Sequence, residues 1–424
     1  MGAIPAQWRL EFDNPANDNS RNAMYSLHIS EEQIAIRDTV RDFVNEQIKP
    51  VTLTPARLEP FDTKVDLDLV RAASELGLRT LALSEDAGGA GADTLTCCLV
   101  AEELAAGDTD IAAVLARTAA LGGVLFNTLM NDAQRGQFVE AFVEDPDYHL
   151  ALADQEPDAD SALGINYYRE AQTDAAVSTT AKKDGDSWVV NGAKVRIANA
   201  PIAKLFAVVV DTGSGPGVLL VPADAAGITV TEIARDGGWY HGAYGDVTFK
   251  DVKVPAGNML GQEAVGTLTG GNCTFGLPEA QAINIGVGRA AYEAAVEYAG
   301  MRVQGGRPII EHQAIGAKLA DVAISLEVCR DSVWHAAWVA DNPGADADGN
   351  FPALPRALIS QVVTAEKIYR AAKDSAECFG AMGVMRDMPM QKYIHDARVF
   401  LHSGSGVSDA RLRVAEALAG FQRS

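Results

Sequence analysis

The sequence is short of basic residues and of cysteine patterns, and each shortage excludes something. Lysine and arginine number 35 against 57 aspartates and glutamates, a formal charge of −22 over 424 residues. Such a chain repels polyanions, which argues against nonspecific binding to nucleic acid or anionic lipid, although a local basic pocket can still hold a phosphorylated ligand. Five cysteines, Cys97, Cys98, Cys273, Cys329 and Cys378, show no CxxC spacing and no neighbouring histidine pair. Neither a disulfide framework nor a metal site is expected, and they read as reduced core residues. No apolar run approaches the ~18 residues that cross a bilayer. There is no Walker A motif and no GxGxxG after a strand pattern, so a nucleotide would need another type of pocket. The opening residues lack a basic start followed by an apolar stretch, and the expected compartment is the cytoplasm.

What is present is a chain with 48% hydrophobic and 22% charged residues, long enough for two or three cores. Residues 1–28 are rich in Asn, Asp and Ala and read as an extension. Ser30 followed by Gln33 is a capping box, and Ile36, Val40, Phe43 and Val44 then share one helical face, with Pro50 expected to stop the helix. Further helical patterns cover 67–76, 94–106, 111–129 and 133–143, which makes 29–148 a helical unit. Between 149 and 260 the periodicity shortens to seven strand-like runs: 177–183, 187–190, 194–197, 205–210, 218–221, 228–233 and 246–252. Asp184-Gly185 and Asn191-Gly192 both read as hairpin turns of an antiparallel sheet or small barrel. Helical patterns return at 278–302, 309–340, 355–379 and 409–421, giving an α, β, α order with a C-terminal helical unit over 261–424.

Six segments, in order, are similar to those of acyl-CoA dehydrogenases. Gln155-Glu156-Pro157-Asp158-Ala159-Asp160-Ser161 resembles the family's Thr-Glu-Pro-x-Ala-Gly-Ser, and Val190-Asn191-Gly192-Ala193-Lys194 resembles its Asn-Gly-x-Lys turn. The stretch Val247-Thr248-Phe249-Lys250-Asp251-Val252-Lys253-Val254-Pro255, ending at Leu260-Gly261, is a third. Glu311-His312-Gln313, Phe379-Gly380-Ala381-Met382-Gly383 and Asp396-Ala397-Arg398 complete the set. The resemblance implies an α+β fold with an N-terminal helical domain, a central antiparallel β domain and a C-terminal four-helix bundle. It also implies FAD, an acyl-CoA or similar thioester substrate, an electron-transfer flavoprotein or another acceptor, and assembly as a homodimer or homotetramer.

By the same resemblance Asp154, Gln155 and Ser161 line the flavin, followed by Arg196, Ala198 and Asn199. A neighbouring subunit is expected to present Arg302, Gln313, Phe379, Gly380 and Gly383 to the pyrophosphate and adenosine. Glycine lets backbone approach phosphate, and arginine can bind it in bidentate fashion.

Three departures bear on the chemistry. The family's catalytic Glu, eight residues beyond the Asp of Asp-Ala-Arg, falls on Gly404 within His402-Ser403-Gly404-Ser405-Gly406. The alternative position used by some relatives falls on Gly276, and the nearest carboxylate is Glu279, three residues along. The family's Trp-x-Thr beside the flavin is Arg196-Ile197-Ala198. Proton removal next to a thioester needs a base whose pKa has been raised by burial, which makes Glu279 the leading candidate. His402 is the second, because imidazole titrates near neutrality. Trp239, Tyr240, His241 and Tyr244 are candidates for polar groups in the acyl pocket. The leading expectation is α,β-dehydrogenation of an acyl-CoA. The alternatives are a flavoenzyme of the same fold doing desulfination, reduction or hydroxylation, and a noncatalytic subunit of a heteromeric assembly.

Overall fold

A computed structural model describes residues 28–58, 64–157, 177–234, 240–269, 275–343, 354–402 and 406–419. The first helix, α1 (Glu31–Phe43), starts at the capping box: Ser30 Oγ accepts from Gln33 N and the Gln33 side chain accepts from Ser30 N. Pro50 does not stop it. A π-helical turn, Val44–Ile48, leads directly into α2 (Lys49–Thr52), which carries the proline in its first turn. The widened turn changes the hydrogen-bond spacing just where proline offers no N–H and its ring needs room.

The N-terminal unit continues through α3 (Leu67–Glu75), α4 (Thr94–Gly107), α5 (Thr109–Val124) and α6 (Asp132–Glu144). Asp93, Asp108 and Asn131 cap the last three, each side chain accepting from the first-turn backbone. A second π-helical turn, Leu125–Leu129, extends α5. The continuous stretch Thr109–Leu129 is, among the described residues, long and apolar enough to span a bilayer, but 78% of its most apolar window is buried inside the protein. It is a core helix.

The β unit comprises β1 (His149–Ala153), β2 (Thr180–Asp184), β3 (Ser187–Ala198), β4 (Ala203–Asp211), β5 (Pro216–Pro222), β6 (Ile228–Glu232) and β7 (Tyr244–Pro255). Their order is β1-β4-β2-β3-β7-β6, with β5 on β4; β1 and β2 run parallel to β4 and the other ladders are antiparallel. Asp184-Gly185 makes the expected hairpin, with Asp184 paired to Ser187. Asn191-Gly192 does not: it lies inside β3, where the register against β7 shifts between Val190 and Gly192. The Asn191 side chain accepts from Asp251 N at 2.9 Å, while Gly192 has φ +146 and a Cβ there would sit 2.7 Å from Thr179 Cα. Those neighbours make the dipeptide a bulge that keeps one strand continuous.

After α7 (Glu263–Thr269) the C-terminal helices are α8 (Leu277–Met301), α9 (Gln313–Asp341), α10 (Arg356–Cys378), α11 (Met390–Val399) and α12 (Gly406–Leu418). A two-stranded hairpin of β8 (Val303–Gln304) and β9 (Arg307–Pro308) joins α8 to α9. One hydrophobic core runs through both helical regions, from Val40 and Leu104 to Ile285, Leu326 and Ile368. A second joins α5 and α6 to β1, β4 and β5, and a third fills the sheet. The β unit is therefore anchored on α5.

Candidate functional site

The segment 154–156 and strand β3 form one rigid wall. Lys194, a cation in the interior of a strand, is fully buried and donates to Glu156 Oε1 at 2.6 Å and to Asp154 O at 3.3 Å. Ser178 Oγ and Thr179 Oγ1 donate to the other carboxylate oxygen at 2.7 and 3.1 Å. Burial pushes the Glu156 carboxyl up, but Lys194 and Ser178 more than offset that and hold it below its usual range. Burial lowers the Lys194 ammonium, with Glu156 opposing. Val195 N donates to Gln155 O at 2.9 Å, so Gln155 rides on β3.

Arg196 stands on a β-bulge with φ +53, and its N–H donates to Asp246 Oδ1 at 2.8 Å. Its side chain is exposed, and no hydrogen bond or ion pair engages the guanidinium among the described residues. Ala198 pairs with Tyr244 of β7. Asn199, fully buried at φ +62, donates through Nδ2 to Val114 O and Thr118 Oγ1, both at 3.2 Å, fastening the end of the wall to α5. Asp154, Gln155, Arg196 and Ala198 thus lie along one hydrogen-bonded surface. Ser161 and Trp239 lie outside the described residues.

Where this surface meets α5 and α11 the structure places a buried polar knot. His241 Nε2 is 3.0 Å from Asp396 O, and its Nδ1 is 3.8 Å from Asp110 Oδ1. Gly242 N donates to the same Asp110 oxygen at 2.8 Å. Asp396 accepts from Lys392 Nζ at 2.6 Å and from Thr109 Oγ1 at 3.1 Å. Burial raises the Asp396 carboxyl, but Lys392 outweighs it and leaves the group below its ordinary value. The lysine responds in the other direction: burial lowers it, and Asp396, Asp108 and Asp110 carry it well above. His241 and Tyr244 were legible in sequence as candidates. Asp108, Asp110 and Lys392 were not, although Asp108, an N-cap between two apolar helices, was a detectable signal for a buried helix junction.

Glu279 lies in the first turn of α8 and is 7% exposed, with Oε2 sealed and without a hydrogen-bond partner among the described residues. Burial, with a further push from Asp341 at the end of α9, raises its pKa to about 7. Cys97 and Cys98 of α4 are its other electrostatic neighbours. The carboxyl group is thus enclosed by helices. His402 is exposed just beyond α11, held by its backbone N–H to Val399 O.

Arg302 and Gln313 are both exposed, on either side of the β8–β9 hairpin, and among the described residues neither side chain is bonded to the wall. Phe379 is buried and stacks on Tyr298 of α8 with centroids 4.2 Å apart. Gly380 has φ +58, and a Cβ on Gly383 would lie 2.4 Å from Ala376 O. These two glycines let the chain leave α10 in a tight turn.

Three family models match in chain order: acyl-CoA dehydrogenase N-terminal domain at 30–145, middle domain at 169–252 and C-terminal domain at 278–418. An acyl-CoA dehydrogenase of Bacillus subtilis is 28% identical over 379 residues, covering 88% of this chain and 94% of that protein. Butyryl-CoA dehydrogenase from Megasphaera elsdenii superposes with a TM-score of 0.78 at 24% identity, covering 93% of this chain and all of that one. A glutaryl-CoA dehydrogenase from Mycobacterium smegmatis, solved in complex with FADH2, gives 0.75 at 20% identity, covering 93% and 96%. With the helix-sheet-helix order, the strand wall and these matches together, the chain belongs to the acyl-CoA dehydrogenase family and is an oxidoreductase of the flavoenzyme class.

Proposed function

We propose that the protein binds FAD and carries out α,β-dehydrogenation of an acyl-CoA thioester. The observation that carries this reading is the wall formed by residues 154–156 and 194–199, locked by the Lys194–Glu156 pair and by Asn199 on α5. A flavin ring needs such a preorganised edge, because catalysis by positioning is lost when the binding surface moves. The donor set fits an anionic dinucleotide: in a chain of charge −22, Arg196 and Arg302 present exposed guanidinium groups with no carboxylate partner among the described residues. Asp154, Gln155, Ser161, Arg196 and Ala198 would flank the ring. Arg302, Gln313, Phe379, Gly380 and Gly383 of a second copy would hold the pyrophosphate and adenosine, which supports a homodimer or homotetramer. The proposed compartment is the cytoplasm, and an electron-transfer flavoprotein or another acceptor would reoxidise the enzyme.

When bound, FAD supplies the acceptor for the hydride lost from the β carbon. Glu279 is the proposed base for the α proton. Its buried carboxyl, with a pKa raised to about 7, is a stronger base than a solvated carboxylate, and one oxygen has no partner among the described residues. His402, exposed and solvated, is the second candidate.

Purified protein carrying stoichiometric FAD, and flavin bleaching on anaerobic mixing with acyl-CoA thioesters, are the expected results. Colourless protein that takes up FAD only with a companion chain would instead indicate a noncatalytic subunit. If Glu279→Gln bleaches as fast as wild type, Glu279 is not the base. A second reading, a flavoenzyme of this fold with other chemistry, is favoured by the exposed Arg196 cation in the place of the family's aromatic residue. Flavin reduction without formation of an enoyl thioester would select it.

A further inference from the structure

A cavity of about 410 Å³ lies where α1, the first π-helical turn, α2, α4 and α8 meet. Cavities of ~300–1,000 Å³ hold small ligands, and none of the residues lining this one is assigned above to the flavin or the acyl group. Arg41, Asn45 and Lys49 border it together, because side chains four residues apart share a helical face, here across the π-helical turn Val44–Ile48. Turns of this kind gather at functional sites. Glycine brings the walls close: a Cβ on Gly107 would fall 2.7 Å from Val44 Cγ1, and Val44 and Ala106 form the apolar part of the lining.

The charged lining is three cations, Arg41, Lys49 and Arg289, against two carboxylates, Glu103 and Glu293, a local positive excess in a chain of charge −22. Glu103 is buried and already shared: it accepts from Arg41 Nη2 and from Arg289 Nη2, each at 2.7 Å. Glu293 serves the remaining donors badly. It is half-exposed and stands 3.5 Å from Arg289 Nη1 and 4.0 Å from Lys49 Nζ, longer than a good charge-assisted bond. Arg289 is 9% exposed, and its Nε, 3.2 Å from Glu102 Oε1, is sealed without a hydrogen bond among the described residues. Arg41 Nη1 has only Asp38 at 3.6 Å, and the exposed Asn45 amide is without a hydrogen bond among the described residues. Donors from three helical elements therefore converge on one cavity with too little anion to satisfy them.

We propose that this cavity binds a phosphate dianion, free or as the monoester end of a small molecule, on Arg41, Lys49 and Arg289, and that Glu293 is the internal carboxylate it displaces. A phosphate offers more acceptor oxygens and more charge than one distant carboxylate, and guanidinium and ammonium groups both form charge-assisted bonds to it. The volume leaves room beside the phosphate for a body lying against Val44 and Ala106. Asn45, uncharged and at the rim, can then bond a hydroxyl or amide of that body.

The test is calorimetric titration of the full chain, with FAD in excess to keep nucleotide out of the flavin site, in wild type, Lys49→Met and Glu293→Gln. The probes are inorganic phosphate and adenosine 5′-monophosphate, at constant ionic strength in chloride. Wild type is expected to bind at least one of them saturably, one per chain, with a Kd of ~1 mM or tighter. Lys49→Met should weaken that binding ~10-fold or more, within the span of a charge-assisted bond. Glu293→Gln should tighten it ~2–5-fold, the span of a partly exposed ion pair, and a merely damaged fold would not give that sign. Tighter binding of the nucleotide identifies the occupant as the phosphate of a larger molecule, and equal or tighter binding of inorganic phosphate identifies the free ion. Absence of saturable binding by both probes overturns the proposal, and so does binding that Glu293→Gln weakens or leaves unchanged. Those two results decide even if Lys49→Met does not fold.

Discussion

Lys194 and Glu156 form an ion pair at 2.6 Å inside the β unit, with the lysine side chain wholly inaccessible to water. Removing one partner strands a buried charge. Lys194→Met is expected to cost ~3–5 kcal/mol of stability in urea denaturation and to weaken FAD retention, because Asp154 and Gln155 lose their tether. The double variant K194M/E156Q should recover much of the loss. A single variant as stable as wild type would show that the pair does not hold the wall.

Glu279 ties pH to stability. Its pKa is about 7 in the folded chain and near the ordinary 4.5 when unfolded. The folded state therefore binds the extra proton between those values, and stability falls as pH rises through that window. Glu279→Gln removes this penalty and should stabilise the protein by ~1–3 kcal/mol at pH 8, with the gain vanishing near pH 4.5. Melting temperatures of both proteins across that range test it, and a gain that does not vary with pH contradicts it.

His149 works at the acid end. Burial, with a push from Arg79, lowers its imidazole from 6.5 to about 4, and its Nδ1 lies 3.2 Å from Thr118 Oγ1. Here the unfolded chain takes up the proton first, so stability falls as pH drops from 6.5 towards 4. His149→Gln should reduce that acid-dependent loss by ~1–3 kcal/mol relative to wild type, read as the difference between the two unfolding curves. Parallel curves would argue against it.

Gly286 sets the spacing between α8 and α4. A Cβ there would fall 2.3 Å from Glu102 O and 2.8 Å from Ala105 Cβ. Gly286→Ala forces the helices apart and should destabilise the protein by ~1–3 kcal/mol, despite alanine's better helix propensity. Gly300→Ala, in the same helix and with open space around it, is the control and should be neutral or slightly stabilising. Equal effects from the two changes would remove the packing argument.

Local chemistry was legible wherever the partners lie close in sequence. The capping box at Ser30 and Gln33 and the hairpin at Asp184-Gly185 formed as their residue types dictate, because each satisfies its own backbone within a few positions. Asn191-Gly192 and Pro50 read differently in the structure because distant neighbours decide them. Asp251 engages Asn191 from another strand, and the π-helical turn before Pro50 accommodates the proline within a continuing helix.

By itself the sequence determined the α, β, α order, the family to which the chain belongs and the residue types available for a flavin wall, since periodicity and short motifs are local properties of the chain. Tertiary structure alone decided which charges are paired. Glu156 acquires Lys194 from a strand 38 residues away, Glu279 is enclosed by α4 and α9, and Arg117 donates to a carbonyl oxygen of a loop 124 residues distant. The physical reason is that desolvation and Coulomb energy depend on distance and burial in the folded protein, which spacing along the chain does not encode.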